Sequence, residues 1–318
     1  MSTECNLTSK DIDNINDVSI LKDLISNNNN NIKIRMNCLF QLRTIGSLEA
    51  IKALEYTLIK EPSSDLLRHE ICYAFGQMID TQENKNEIQN FLNKEIFSVP
   101  TKWASIVLHE AAEALGNISD ENNIILLKKF LNYEDDIIKE TCMLAIDNLN
   151  WLKNTNKGKT EGFNEKNKYY CTNDPAPPFN YEKYPEFKSI DKLKSILFNG
   201  SLFEQNRVLF TLRNLGTKEA VNLLCECFSN KFTPLFKHEV SFILGQMAEE
   251  AKEALCKLEE VMQDENEDPI VRHETALALG EISKGKDLLK KYSTHENQLI
   301  AESCIIAEEF VDYWKDMH

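Results

Sequence analysis

The stretch NCLFQLRTIGSLEAIKAL at residues 37–54 returns as RVLFTLRNLGTKEAVNLL at residues 207–224, and this duplication decides the fold. In each copy, apolar residues recur at helical spacing on both sides of a Gly, which predicts two helices joined by a short turn. Related units contain further Gly residues at intervals of 29 to 40 residues. Helix pairs that repeat at this interval are typical of solenoids, in which each unit stacks on its neighbours to bury a core.

Four of the units carry a His-Glu pair with a Gly seven residues after the His, and they use four of the six His in the chain. Apolar residues flank the pairs, so we expect them to be buried. Burying an unpaired carboxylate is costly, and buried charges are therefore paired or bound to metal. Imidazole and carboxylate are common ligands for iron, zinc and manganese. The sequence thus predicts a joint metal role for His69-Glu70, His109-Glu110, His238-Glu239 and His273-Glu274.

The same repeat also occurs without the His-Glu pair. Two units have Leu39-Phe40 and Leu209-Phe210 at that position, so the fold does not require His-Glu there. Two further units have Glu140-Thr141 and Glu302-Ser303 at this position of the repeat, which is the frame of the His-Glu pair. In chain order, the eight units have the pairs LF, HE, HE and ET, followed by LF, HE, HE and ES. The chain is therefore predicted to be a tandem duplication of a four-unit block.

The predicted architecture is an all-α solenoid of eight helical hairpins in two pseudo-symmetric blocks of four. The N-terminal four-repeat block spans residues 1–152, and the C-terminal four-repeat block spans residues 189–318. Between them, residues 153–188 are rich in Asn, Lys and Pro and lack helical periodicity, which predicts a linker.

Composition restricts the class of function. The 318 residues carry a net charge of −15, which argues against nucleic acid as a partner because phosphate contacts need a basic surface. An acidic surface fits a basic protein partner instead. No apolar run approaches the roughly 20 residues of a membrane span, and the N-terminal residues lack the pattern of a signal peptide. Nine Cys without a C-x-x-C pair predict reduced thiols in the cytoplasm.

Helix geometry predicts which of the His side chains converge. Successive residues on one helix point about 100° apart, so a single His-Glu pair is poorly placed to chelate one ion. Stacked helices lie about 8–10 Å apart, which lets His69 approach His109 and His238 approach His273. If the two blocks face each other through pseudo-twofold symmetry, two ion sites form at one interface, each with two imidazoles, at least one carboxylate and open positions. Such ligands suit redox iron, because closed structural zinc sites are usually rich in Cys.

The order of the units, with His-Glu in the second and third unit of each block, closely resembles the deoxyhypusine hydroxylase family, whose repeats are HEAT-like. The resemblance covers essentially the whole chain, including the segment DPAPP at 174–178. It implies a monooxygenase that hydroxylates the deoxyhypusine side chain of a translation factor to hypusine. The implied cofactors are two iron ions, with O₂ as co-substrate and an external reductant. No catalytic residue is implied beyond the metal centre, whose implied ligands are His69, His109, Glu110, His238, His273 and Glu274.

Two questions stay open at the level of sequence. Glu70 and Glu239 either ligate iron or bind the cationic amines of the substrate, and the resemblance favours the second role. The alternative function is a metal-free HEAT-repeat scaffold or a lyase-like protein-binding module. This alternative predicts no bound metal, and it leaves the symmetric placement of the His-Glu pairs unexplained.

Overall fold

The structure is a computed structural model that describes residues 8–154, 172–282 and 285–317. Every regular element in these ranges is a helix, which confirms the predicted all-α fold. The helices fall into two compact units, Met1–Ile118 and Ser119–His318, called unit 1 and unit 2 below. Within the described ranges, no helix combines the length and apolar character needed to cross a membrane. The count of eight hairpins and the block boundaries, 1–152 and 189–318, remain predictions.

Unit 1 has two layers of helices with the core between them. Helices α3, α5 and α7 lie side by side in one layer, and α2, α4 and α6 form the other. A π-helical turn at Leu92–Ile96 extends α6, and a 3-10 turn at Pro100–Lys102 leads into α7. The helices are α1 (Ser9–Asp13), α2 (Val18–Ser26), α3 (Ile32–Ile45), α4 (Leu48–Lys60), α5 (Asp65–Gln77), α6 (Gln82–Phe91) and α7 (Ser105–Asn117).

Unit 2 repeats this layering. Helices α9, α11, α13, α15 and α17 pack in succession, and each contacts the shorter helix that precedes it along the chain. Short 3-10 helices occur at Lys128–Phe130, Pro185–Lys188 and Ala248–Ala254. The helices are α8 (Glu121–Leu127), α9 (Asp136–Asn154), α10 (Ile190–Asn199), α11 (Leu202–Leu215), α12 (Lys218–Glu226), α13 (Pro234–Met247), α14 (Leu255–Gln263), α15 (Pro269–Glu281), α16 (Lys286–Tyr292) and α17 (Gln298–Met317).

The two duplicated stretches form helical hairpins, as predicted. Helices α3 and α11 are followed directly by Gly46 and Gly216, whose φ angles of 63° and 60° lie in the left-handed region that favours Gly. The next residue then caps the following helix: the side chain of Ser47 accepts a hydrogen bond from the Ala50 backbone N–H at 3.2 Å. Left-handed Gly followed by an N-cap residue explains why each hairpin turns within two residues.

The Gly residues of the His-Glu units have a different role, because they lie inside helices. A Cβ added at Gly245 would lie 3.2 Å from the Cα of Ala278, and one at Gly76 would lie 3.3 Å from the Cα of Ala114. At Gly280, the added Cβ would lie only 2.7 Å from the carbonyl oxygen of Ala307. These contacts show a close approach of successive helices, which brings the side chains about two turns earlier on each helix toward one another.

Gly280→Ala is predicted to destabilise unit 2. Alanine favours a helix over Gly by about 1 kcal/mol, but its Cβ would overlap the backbone of α17 at Ala307. Overpacking of this kind costs about 1–3 kcal/mol, so the net change in the free energy of unfolding should be unfavourable. Denaturant unfolding measures it, with Gly76→Ala as the milder control because its nearest contact is longer. An unchanged or higher stability of Gly280→Ala would contradict the packing account.

Part of the predicted linker is fixed to α11. Residues 155–171 lie outside the described residues, but Asp174 accepts two hydrogen bonds from the guanidinium of Arg213, at 3.0 and 2.7 Å. Ala176 is fully buried, and the backbone N–H of Phe179 donates to the hydroxyl of Thr211 at 2.8 Å. The segment that follows residue 171 therefore packs as part of unit 2.

Candidate metal centres

In unit 1, neighbouring helices bring two imidazoles and a carboxylate together. His69 lies on α5, and His109 and Glu110 lie on α7. The Nε2 atoms of His69 and His109 are 3.3 and 3.2 Å from the same oxygen, Oε1 of Glu110. The imidazole rings are stacked with centroids 6.1 Å apart. One nitrogen or oxygen atom from each of the three residues lies within 4.8 Å of the others, so a single ion can contact all three.

Unit 2 repeats this arrangement with its own residues. His238 lies on α13, and His273 and Glu274 lie on α15. Both Nε2 atoms are 3.7 Å from Oε2 of Glu274, and the ring centroids are 5.4 Å apart. All of these residues are buried. Each unit therefore has a cluster of two His and one Glu, and in each cluster the carboxylate comes from the second His-Glu pair.

The two remaining carboxylates of the motif contact the other side of an imidazole. Oε1 of Glu70 is 3.3 Å from Nδ1 of His69, and Oε1 of Glu239 is 3.3 Å from Nδ1 of His238. A carboxylate next to Nδ1 accepts the Nδ1 proton, so Nε2 is the ring nitrogen that faces the cluster. Glu70 and Glu239 thus differ in geometry from Glu110 and Glu274. The sequence alone left the role of Glu70 and Glu239 open.

The charges in the unit 1 cluster are strongly linked. Burial opposes a charge on His69, but the carboxylate of Glu110, with help from Glu70, outweighs burial and raises the pKa of His69 to about 10. Burial likewise opposes the charge on Glu110, yet His69 and His109 lower the pKa of that carboxyl well below its usual range. In the metal-free protein, the proton on His69 therefore compensates the buried carboxylate, and a bound cation would displace it.

This linkage predicts the pH dependence of the metal-free protein. A His whose folded pKa is raised stabilises the fold fully below its ordinary value of 6.5, and this contribution is lost as pH rises through about 10. The free energy of unfolding of the metal-free chain should therefore fall over that interval. Denaturant unfolding at several pH values tests this, with His69→Gln flattening the fall and His295→Gln, which lies outside both clusters, leaving it in place. Equal slopes in all three proteins would contradict it.

Two side chains near the clusters were not predicted as site residues. Tyr73 follows His69 by one turn on α5, and burial raises its pKa well above the ordinary value, so it is a neutral phenol at neutral pH. Ser303 of α17 is fully buried, and its Oγ is 3.4 Å from Nδ1 of His273. Ser303 could have been found from the sequence, because it occupies the position of the repeat that Glu takes in the His-Glu units.

The chemistry of the side chains fits a redox metal ion. Two imidazole nitrogens and one carboxylate oxygen leave several coordination positions open, as in non-haem iron sites that bind O₂. The clusters are buried and acidic, so a cation also compensates charge that is costly to bury. His69, His109 and Glu110 in unit 1 are close enough to share one ion, and His238, His273 and Glu274 form the matching cluster in unit 2.

Repeated helical hairpins with buried His and Glu clusters define an all-α repeat protein with two candidate metal sites. Residues 107–133 match the PBS lyase HEAT-like repeat family. Deoxyhypusine hydroxylase of Danio rerio is 35% identical over 309 residues, covering 94% of this chain and 93% of the relative. The Schizosaccharomyces pombe deoxyhypusine hydroxylase is 36% identical over 298 residues, covering 90% and 88%.

A solved structure agrees with these relatives. The structure of human deoxyhypusine hydroxylase in complex with glycerol matches with a TM-score of 0.80 and 30% identity, covering 93% of this chain and 96% of that one. The chain belongs to the deoxyhypusine hydroxylase family. The resemblance expected from the order of its repeats is thereby confirmed.

Proposed function

We propose that this chain is a deoxyhypusine monooxygenase, which hydroxylates the deoxyhypusine side chain of a translation factor to hypusine. One observation carries the proposal: each unit buries two imidazoles around one carboxylate, in a chain whose relatives are named deoxyhypusine hydroxylases. Apolar pairs occupy the same frame in the Leu-Phe units, so the fold alone does not account for the clusters.

The proposed cofactors are two iron ions, one for each cluster. His69, His109 and Glu110 would hold one ion, and His238, His273 and Glu274 would hold the other. When bound, iron supplies the activation of O₂ that an unactivated C–H bond requires. One oxygen atom enters the C–H bond as a hydroxyl, and the other leaves as water after taking two electrons and two protons. The two electrons come from an external reductant.

Glu70 and Glu239 are proposed to bind the substrate amines. Deoxyhypusine has a secondary and a primary amine, both cationic at neutral pH, on either side of a methylene-rich chain. Each carboxylate contacts an imidazole Nδ1 through Oε1, and a carboxylate has a second oxygen that can accept a hydrogen bond from an ammonium group. Two carboxylates that each hold one end of the side chain would fix which carbon meets the oxidant, and such positioning supplies a large part of a reaction barrier.

The protein partner is proposed to be a basic translation factor that carries deoxyhypusine. The net charge of −15 favours encounter with a basic surface and disfavours nucleic acid. The seven Cys among the described residues are free thiols, which suits the reducing cytoplasm that we propose as the compartment of this protein.

The test is turnover with labelled oxygen. The full chain, loaded with Fe²⁺ and supplied with a reductant, is incubated with a deoxyhypusine-bearing protein under ¹⁸O₂. Mass spectrometry of the modified peptide should show one added ¹⁸O atom, and the metal-free chain should add none. A scaffold or a lyase-like binding module would bind the partner and leave its mass unchanged, which would overturn the proposed function.

A further inference from the structure

The fourth repeat of each block has Glu-Thr or Glu-Ser in the frame that His-Glu occupies elsewhere, and the proposed function does not explain these pairs. In the second of the two blocks, this repeat contains Ser303 on α17. Its side chain is fully buried against α15, the helix that carries the fully buried His273. A buried hydroxyl must find hydrogen-bond partners, so its bonds show what it does there.

The direction of the two Ser303 hydrogen bonds follows from their partners. The hydroxyl lies 2.8 Å from the carbonyl oxygen of Leu299, which can only accept, so the single hydroxyl proton is donated to it. The oxygen lone pairs remain available to Nδ1 of His273 at 3.4 Å. Nδ1 must therefore carry a proton in this contact, and Nε2 is the ring nitrogen that faces Glu274, at 3.7 Å.

Two other imidazoles also have a hydrogen-bond acceptor next to Nδ1, but the acceptor is a carboxylate. Nδ1 of His69 and of His238 each face the carboxylate of the adjacent Glu at 3.3 Å, and a carboxylate also accepts only. His273 has the neutral Ser303 in this role. Thr141 has the equivalent position in the fourth repeat of the other block, and its hydroxyl is likewise donated to the carbonyl four residues earlier, Ile137, at 2.8 Å.

We infer that Ser303 is a positioning residue, a hydrogen-bond acceptor that fixes the tautomer and ring orientation of His273 so that Nε2 points at the ion held with Glu274. This inference rests on the proposed function to the extent that His273 ligates a metal. It assigns a role to the Glu-Ser frame of the repeat: the hydroxyl takes the place of the carboxylate that supports the first His of each block.

Two measurements on the full chain test the inference. In the metal-free protein, ¹⁵N NMR of the His rings reports the tautomer of His273, which should carry its proton on Nδ1. Anaerobic calorimetric titration with Fe²⁺ alone reports the affinity for each ion. Ser303→Ala should lose the fixed tautomer and weaken one of the two ions by about 10- to 100-fold, the usual cost of removing a partner that supports a ligand. Ser303→Thr should retain both.

The matched control is Ser241→Ala on α13. Ser241 is as buried as Ser303, but its hydroxyl bonds Thr275 at 2.9 Å and no imidazole, so its loss should leave both ions bound as in the wild type. The inference is overturned by a wild-type His273 whose Nδ1 carries no proton, or by unchanged Fe²⁺ affinity in Ser303→Ala. A wild-type chain that binds no Fe²⁺ would overturn the proposed function, while the tautomer measurement would still decide for or against Ser303.

Discussion

Glu110→Gln and Glu274→Gln should each lose iron and hydroxylation together. In both clusters this carboxylate is the group that faces two Nε2 atoms, and the neutral amide removes the charge that compensates a bound cation. The weakening should be at least about 100-fold, because loss of a supporting partner alone costs up to that much. Elemental analysis of the purified variants and the ¹⁸O₂ assay measure the two effects on one preparation.

The control variants separate the two kinds of Glu in the motif. Glu70→Gln and Glu239→Gln should keep iron, because the amide oxygen still accepts a hydrogen bond from the imidazole Nδ1. They should bind the deoxyhypusine-bearing protein about 10- to 100-fold more weakly, since one charge-assisted hydrogen bond contributes about 1.5–3 kcal/mol. Leu39→Ala, at the apolar version of the same frame, should lower stability through a cavity and leave the iron content intact. Equal iron loss in all four Glu variants would show that every His-Glu pair ligates metal.

Removal of iron should lower the thermal stability of the chain substantially. Ligands from two helices are joined through each ion, and an ion that binds only the folded state stabilises it by mass action. At a free Fe²⁺ concentration a thousandfold above Kd, each site contributes about 4.1 kcal/mol. Differential scanning fluorimetry of the loaded and metal-free chain under anaerobic conditions measures the change in Tm.

Calcium provides the control for this second effect. Ca²⁺ takes six to eight oxygen ligands, so clusters with two imidazole nitrogens and one carboxylate should not bind it tightly. Millimolar Ca²⁺ should therefore leave the Tm of the metal-free chain unchanged, whereas Fe²⁺ raises it. A Tm that responds to both cations alike, or to neither, would contradict a specific metal site in these clusters.

The repeat and the convergence of the His side chains could be predicted from the sequence because both follow from local periodicity. Gly46 and Gly216 mark the turn between paired helices, and the constant distance from His to the helical Gly sets all four pairs at the same height on their helices. When similar repeats stack on one another, the pairs of neighbouring helices lie at the same height. The internal duplication also allowed repeats with His-Glu to be compared with repeats without it. Leu39-Phe40 showed that the frame tolerates apolar residues.

The partners of individual atoms could not be predicted, because they depend on contacts distant in sequence. Ser303 lies 30 residues from His273, and only the packing of α17 on α15 shows that its hydroxyl reaches Nδ1. Asp174 lies 39 residues from Arg213, in a stretch whose composition indicates a linker. Arg213 on α11 is buried, and its guanidinium forms an ion pair with Asp174. This ion pair holds the segment against the helix, although its composition is that of a linker.

The iron content of the full chain tests the central claim most directly. The chain is purified without chelators, reduced, and titrated anaerobically with Fe²⁺, and bound iron is counted by elemental analysis against protein concentration. Two buried clusters of two His and one Glu predict two iron ions per chain, with Glu110→Gln and Glu274→Gln binding fewer. A homogeneous chain that hydroxylates its substrate with no iron, or with a single tightly bound zinc ion, would contradict the account.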